Sequence, residues 1–314
     1  MYTDFYRLQT NPFSNSPDPR FLYMMPHTQE ALAALEFGIA ARRGFMVLTG
    51  EAGSGKTTLI RKTMEGFDPE RVISSYIFNP RLDFSNFMEF VLADFGITPP
   101  TPSKAGILLF LNRWLIERFE AGQTCVIFVD EAQALSKELL EEIRLLTNLE
   151  TSSQKLLQIV LCGQPELAEK LNSPELRQLR QRIAMWCRIY TLTEEQTVGY
   201  IDRRLSTSAA PSVNQEETST SIFSRDAIRE IYRASHGIPR LINLICEHSL
   251  IFGYVEQLNL ISVELVRDVL LDLELGPALL YEPERLRDQR PEPDLKTDIR
   301  PQSSFPAMEF EKSR

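Results

Sequence analysis

Short apolar runs alternate along the first two thirds of the chain with longer segments whose apolar residues recur every three or four positions. FMVLTG (45–50), RVISSYIFNP (71–80), TCVIFV (124–129), KLLQIVLCG (155–163) and AMWCRIYTL (184–192) predict strands. KTTLIRKTMEGF (56–67), FSNFMEFVLADFG (84–96), KAGILLFLNRWLIERFEAG (104–122) and SKELLEEIRLLTNLET (136–151) predict helices, the last with Ser136 as its cap. PELAEKLNSPELRQLRQRI (165–183) reads as one or two more. A further helix precedes the first strand, TQEALAALEFGIAARRG (28–44), with Thr28 as candidate cap and Gly44 closing it. Five apolar strands separated by helices predict an α/β fold: a mostly parallel sheet covered on both faces.

After residue 192 the strands stop. LTEEQTVGYIDRRL, FSRDAIREIYRAS, IPRLINLICEHSLIFGYVE and SVELVRDVLLDLEL all carry helical patterning. The chain therefore divides into an N-terminal segment (1–26), an α/β domain (27–192), a smaller all-helical domain (193–275) and a tail (276–314). The first segment is expected to be extended, because its prolines bias their predecessors away from the helix. The tail, rich in proline and mixed charge, is expected to be disordered, with FPAMEF (305–310) as a candidate partner-binding segment. STSAAPSVNQEETSTS (206–221) reads as a mobile loop. There is no internal repeat.

Composition narrows the class. The 314 residues suffice for more than one domain, and 34 basic against 43 acidic side chains give a net charge of −9. That balance argues against a chain whose whole surface binds nucleic acid. The N-terminus lacks the basic-then-apolar order of a signal peptide, and no apolar run is long enough to span a bilayer. The richest late stretch, SLIFGYVEQLNLI, is interrupted by Gly253, Glu256 and Gln257. The expected location is cytoplasmic. Cys125, Cys162, Cys187 and Cys246 stand far apart among apolar neighbours, with no metal-ligand spacing, and are expected to be buried thiols.

The chemistry begins at GEAGSGKTT (50–58), which fits G-x-x-x-x-G-K-[ST] between a strand and a helix. Glycines let successive backbone N–H groups turn inward on phosphate oxygens, and the following helix adds its positive end. Gly50, Glu51, Ala52, Gly53, Ser54, Gly55, Lys56, Thr57 and Thr58 are the candidate nucleotide contacts. Lys56 would reach the β- and γ-phosphates of ATP, and Thr57 would place its hydroxyl on Mg²⁺. VIFVDE ends a buried strand in two carboxylates, which packing alone does not explain. Asp130 is the candidate metal partner, and Glu131 the group that orients an attacking water. The strand QIVLCGQ ends at Gln164, which parallel topology would bring to the same rim.

Two arginine groups add to this. LRQLRQRI carries Arg177, Arg180 and Arg182, of which one is a candidate finger for a neighbouring copy's site; the other reading is a solvated basic face. In HGIPRLINLICEHS, Pro239 suits the first turn of a helix, Leu241, Leu244 and Ile245 form its expected core face, and Arg240 is placed to reach across the domain cleft. His236 and His248 are expected at a helix end or on the surface.

GEAGSGKTT, CVIFVDEAQ, IVLCGQPEL, LRQLRQRI and GIPRLINLICEHSL, preceded by NPFSNSPDPRFLYMMPHTQEAL, together resemble the ExeA/GspA-type AAA+ ATPases over about residues 5–275. The resemblance implies a P-loop AAA+ three-layer core with a five-stranded parallel sheet and a helical lid. It matches Lys56, Thr57, Asp130 and Glu131 to the Walker positions, Gln164 to sensor 1 and Arg240 to sensor 2. Arg182, or else Arg180, matches the finger region. It also implies that the NPF block wraps the adenine side of the nucleotide, that the chain works as a homo-oligomeric ring or filament, and that its client belongs to secretion, pilus or exopolysaccharide export. Relatives of this type often continue into a membrane span and a peptidoglycan-binding domain, whereas this sequence ends in the polar tail, so direct contact with the envelope is not expected. The same core also resembles transposition regulators of the TniB/TnsC kind, which makes DNA the less favoured alternative partner.

Overall fold

The computed structural model describes residues 1–78, 82–99, 103–209 and 222–275. The expected loop at 206–221, for the most part, and the whole tail from 276, including FPAMEF, lie outside the described residues.

Five strands form one parallel sheet: β1 (Phe45–Gly50), β2 (Val72–Ile77), β3 (Thr124–Val129), β4 (Leu157–Gly163) and β5 (Ile183–Ile189), in spatial order β2-β3-β4-β1-β5. Every residue of β1, β3 and β4 is buried, which is why these runs show no polar alternation. Alternate side chains supply two cores. On one face Phe45, Val47, Ile127, Ile159 and Leu161 pack beneath α4 (Phe84–Asp94), α5 (Lys104–Glu120), α6 (Lys137–Leu146) and α7 (Pro165–Leu171). On the other, Met46, Leu48, Val126, Phe128, Val160 and Cys162 pack beneath α2 (Pro26–Ala40) and α3 (Lys56–Glu65). Because β4 lies between β1 and β3, the carboxyl ends of all three share one stretch of rim.

The helical domain comprises α9 (Glu194–Ser208), α10 (Arg225–Ser235), α11 (Pro239–Val255) and α12 (Val263–Asp272) around their own core. The hydroxyls of Ser136, Thr193, Ser224 and Ser262 accept from the backbone N–H three residues on; Ser136 is the cap the sequence predicts. The four cysteines are free and buried. Among the described residues, no helix is long and apolar enough to cross a membrane.

Some local expectations are corrected. Helix α2 begins at Pro26, so Thr28 lies buried inside its first turn; the proline, with φ already helical, sets the start. Its end is turned by Arg42, at φ 51°, where Arg43 donates back to the Gly38 carbonyl two residues before Gly44. The core face of α11 is Ile242, Ile245, Cys246, Ser249, Leu250 and Gly253, while Leu241 and Leu244 are half-buried; starting the helix at Pro239 sets that phase.

The first 25 residues are not simply extended. They hold a short helix α1 (Tyr2–Phe5) and a tight turn at Pro19–Phe21 capped by Asp18. They also belong to the helical domain's core. Tyr6, Leu8, Phe13 and Met25 are buried in it, and the Phe13 ring stands edge-on to Phe223 with centroids 6.2 Å apart. Arg204 donates to the carbonyls of Pro12 (2.9 Å) and Ser14 (3.1 Å), and Gln9 N–H donates to Ser208 O (2.7 Å).

Candidate functional site

The loop after β1 is shaped by glycine. Gly53 (φ 76°) and Gly55 (φ 98°) take left-handed conformations that other residues adopt only with strain. Helix α3 then starts at Lys56, and its first turn leaves backbone N–H groups without intrahelical partners. The buried Lys56 ammonium curls back to donate to the carbonyls of Gly50 and Glu51, both at 2.9 Å. Two of its three protons are thereby used and one remains. Ser54 Oγ is buried with no partner. A loop that ends in a helix N-terminus, a spare ammonium proton and an orphaned hydroxyl fits a phosphate chain.

Across the rim, Asp130 follows β3 directly and is buried. Its Oδ2 accepts from Thr57 Oγ1 (2.6 Å) and from the Tyr76 hydroxyl (2.8 Å), and its Oδ1 accepts from Glu131 N–H (2.9 Å). Burial first, and then the Asp130 charge, push the Tyr76 phenol well above its ordinary range, which keeps it a proton donor. Thr57 and Asp130 meet as adjacent hard oxygen donors, the set Mg²⁺ prefers. Glu131 is exposed on the rim and has a left-handed backbone, φ 52°. One of its carboxylate oxygens accepts from Gln133 Nε2 (2.5 Å) and Gln164 Nε2 (3.2 Å). Parallel topology thus brings the candidate amide at the end of β4 to the candidate acid at the end of β3.

A cavity of about 300 Å³ opens over the loop. Gly53–Thr58 and Glu131 form its floor. Asn15, Ser16, Pro17, Phe21, Leu22, Tyr23 and Met25 of the N-terminal segment line it together with Tyr200, Arg204, Pro239, Arg240 and Asn243 of the helical domain, and the Arg204 guanidinium lies 4.8 Å over the Phe21 ring. The domains touch here. Arg240 N–H donates to Gly53 O (3.2 Å), and a Cβ on Gly53 would lie 2.6 Å from Arg240 Cβ. Nearby, Leu192 N–H donates to Gly237 O (2.8 Å).

The other arginine candidates lie away from this cavity. Arg182 is at the amino end of β5, and seven residues at about 3.3 Å each put it roughly 20 Å from the rim. Its Nη1 donates to Thr147 Oγ1 (2.6 Å) and Asn148 Oδ1 (2.5 Å) at the end of α6. Arg180 closes α8 (Arg177–Arg180) and is exposed. His236 caps α10 in a left-handed conformation, and His248 is half-buried on α11; neither lines the cavity.

Tyr76, Gln133 and Arg204 were not singled out by the sequence. Gln133, two residues past Glu131 in DEAQ, carried a faint signal. Tyr76 and Arg204 carried none, because their roles depend on which strand borders β3 and on where residues 12–14 pack.

The strand order, the glycine-rich loop at the end of β1 and the helical domain over the rim define a nucleotide-binding AAA module, and a family model for the AAA domain matches residues 39–171. The particular kin is equally plain. The chain is 42% identical over 257 residues to general secretion pathway protein A of Aeromonas hydrophila, covering 81% of this chain and 45% of that protein. Its AAA domain is of the ExeA/GspA type. The chain thus matches rather less than half the length of that relative. Solved structures share the fold at low identity. The Aeropyrum pernix ORC2 protein, in ADPNP–ADP complexes, aligns at TM-score 0.61 and 15% identity over 84% of this chain and 72% of that one. Cdc6p from Pyrobaculum aerophilum aligns at 0.61 and 18% over 83% and 70%. A Thermotoga maritima RuvB variant aligns at 0.53 and 16% over 86% and 73%.

Proposed function

We propose that this chain binds Mg²⁺-ATP in the cavity over the loop and hydrolyses it to move the helical domain against the sheet. The observation that carries the reading is the meeting of Lys56, Thr57, Asp130, Glu131 and Gln164 on one stretch of rim, with Arg240 facing them from the other domain. Lys56 and the N-terminus of α3 hold the β- and γ-phosphates. Thr57 and Asp130 hold Mg²⁺, which when bound draws charge off the phosphate oxygens. Glu131 orients the attacking water and takes up its proton. Gln164 hydrogen-bonds both that water and the γ-phosphate from the end of β4. Arg240 reaches the γ-phosphate from the lid, so that loss of phosphate loosens the contact between lid and loop.

The distance from β5's amino end to the rim argues that Arg180 or Arg182 acts on a neighbouring copy, in a ring or filament. Arg180 is the freer of the two, since Arg182 is engaged by the end of α6. By analogy with its relative, such an oligomer would serve a protein client in secretion or in a related export assembly, from the cytoplasmic side.

Steady-state ATP turnover tests the scheme. Glu131→Gln is expected to lower turnover about 10²- to 10⁴-fold with nucleotide still bound. Equal rates in the two proteins would remove Glu131 from the chemistry. In the same assay, wild-type turnover per chain is expected to rise with protein concentration; a constant value removes the finger in trans.

A further inference from the structure

Gln133 closes the motif CVIFVDEAQ but has been given no role above, yet it is the centre of a closed hydrogen-bond circuit. Its Oε1 accepts from the backbone N–H of Gln164 (3.0 Å), while its Nε2 donates to Glu131 Oε2 (2.5 Å). The amide's orientation follows from chemistry: an N–H must face an acceptor and a carboxylate must face a donor. The Gln164 side chain completes the circuit by donating to the same Glu131 oxygen at 3.2 Å. Gln133 is half-buried and does not line the cavity.

Its own backbone is anchored. Lys170 on α7 donates to the Gln133 carbonyl and, at 2.8 Å, to that of Leu135. The space it occupies exists because residue 163 is glycine, where a Cβ would lie 2.7 Å from Gln133 Oε1. Glu131, in contrast, is exposed and sits on a left-handed backbone. An exposed carboxylate has little packing to fix its rotamer, so these two amides are what aim it.

We infer that Gln133 is the positioning residue of the hydrolytic acid: it ties the Glu131 carboxylate to the end of β4, so that the acid and Gln164 move as one unit. The inference rests on the hydrolytic reading above and deepens it. When Gln164 engages the γ-phosphate, its side chain leaves Glu131 Oε2, and Gln133 remains as the donor that holds the carboxylate in line. Gln133 lies off the cavity lining and acts through Glu131.

The test uses full-length protein with two variants, measuring kcat and KM for ATP between pH 5.5 and 8.5. Gln133→Leu removes donor and acceptor together; kcat is expected to fall about tenfold, with KM for ATP within twofold of wild type. Gln133→Glu is nearly isosteric and keeps the acceptor for the Gln164 N–H, but it places a carboxylate against Glu131. At high pH the two charges repel. As pH falls the pair takes up a shared proton, and the introduced carboxyl can donate as the amide did. The ratio of variant to wild-type kcat is therefore expected to rise toward low pH, by several-fold, a readout that loss of folding or of nucleotide binding would not give. The inference is overturned if Gln133→Leu turns over at the wild-type kcat, if its KM rises while kcat holds, or if the Gln133→Glu ratio is flat with pH. Wild-type protein without turnover takes down the hydrolytic reading and this inference with it. Wild-type turnover with unaffected Gln133 variants takes down this inference alone.

Discussion

Gly53 shows how much one missing side chain settles. Its φ of 76° is left-handed, and the place a Cβ would take is filled by Arg240 at 2.6 Å. Gly53→Ala therefore strains the loop and pushes the lid from it. Strain of that kind is about 1–3 kcal/mol, and spent against the bound conformation it corresponds to a loss of about tenfold in affinity. Titration with a fluorescent ATP analogue measures it. Gly122→Ala is the control: φ is 77° there too, but open space surrounds it at the turn before β3, so affinity should not change. If the two variants bind equally well, the contact between loop and lid has no part in holding nucleotide.

At the scale of elements, the joint between the domains is the turn from α10 into α11. Gly237 has φ 71°, and a Cβ there would sit 2.0 Å from the Leu192 carbonyl oxygen. No side-chain rotation relieves a clash with backbone, so Gly237→Ala must displace either the chain leaving β5 or the start of α11. A cost of at least about 2 kcal/mol is expected. At about 2–4 °C per kcal/mol for a protein of this size, the thermal midpoint should drop by about 4–8 °C. Differential scanning calorimetry reads it, and an unshifted midpoint would mean the joint gives without cost.

What the sequence disclosed divides along the same line. Elements governed by neighbours in the chain were legible: Ser136 before an apolar run, the glycine-rich loop after FMVLT, acids closing a buried strand. Thr28 misled because Pro26, two residues earlier, offers a stronger start. The phase of α11 was displaced because it is set by where the first turn begins rather than by the most apolar residues. Tyr76 and Arg204 were out of reach altogether: the first needs β2 to lie beside β3, the second needs residue 12 to lie beside residue 204. Gln133 stood in plain view in DEAQ, but its partner is a backbone N–H 31 positions away.

Across the whole molecule, the N-terminal segment is structurally part of the helical domain, nearly 200 residues further along the chain. Phe13 is fully buried against Phe223, and residues between Asn15 and Met25 line the cavity beside α9 and α11. Phe13→Ala should cost about 3–5 kcal/mol. The loss should fall on the helical domain, because the sheet's two cores contain no residue before 21. Hydrogen exchange is the measurement: protection should drop in α9–α12 and persist in β1, β3 and β4. A loss spread evenly over the molecule would show that the two cores melt as one.

The pairing of residues 8 and 209 also fixes when the molecule can become competent during its own synthesis. A ribosome adding about 5–20 residues per second needs roughly ten seconds or more to travel from Phe13 to Phe223. Through that interval the glycine-rich loop can already be made and folded, yet one wall of its chamber lacks the helices that hold it in place. The nascent chain thus carries an unfinished chamber over that loop until α9 and α11 have both been made.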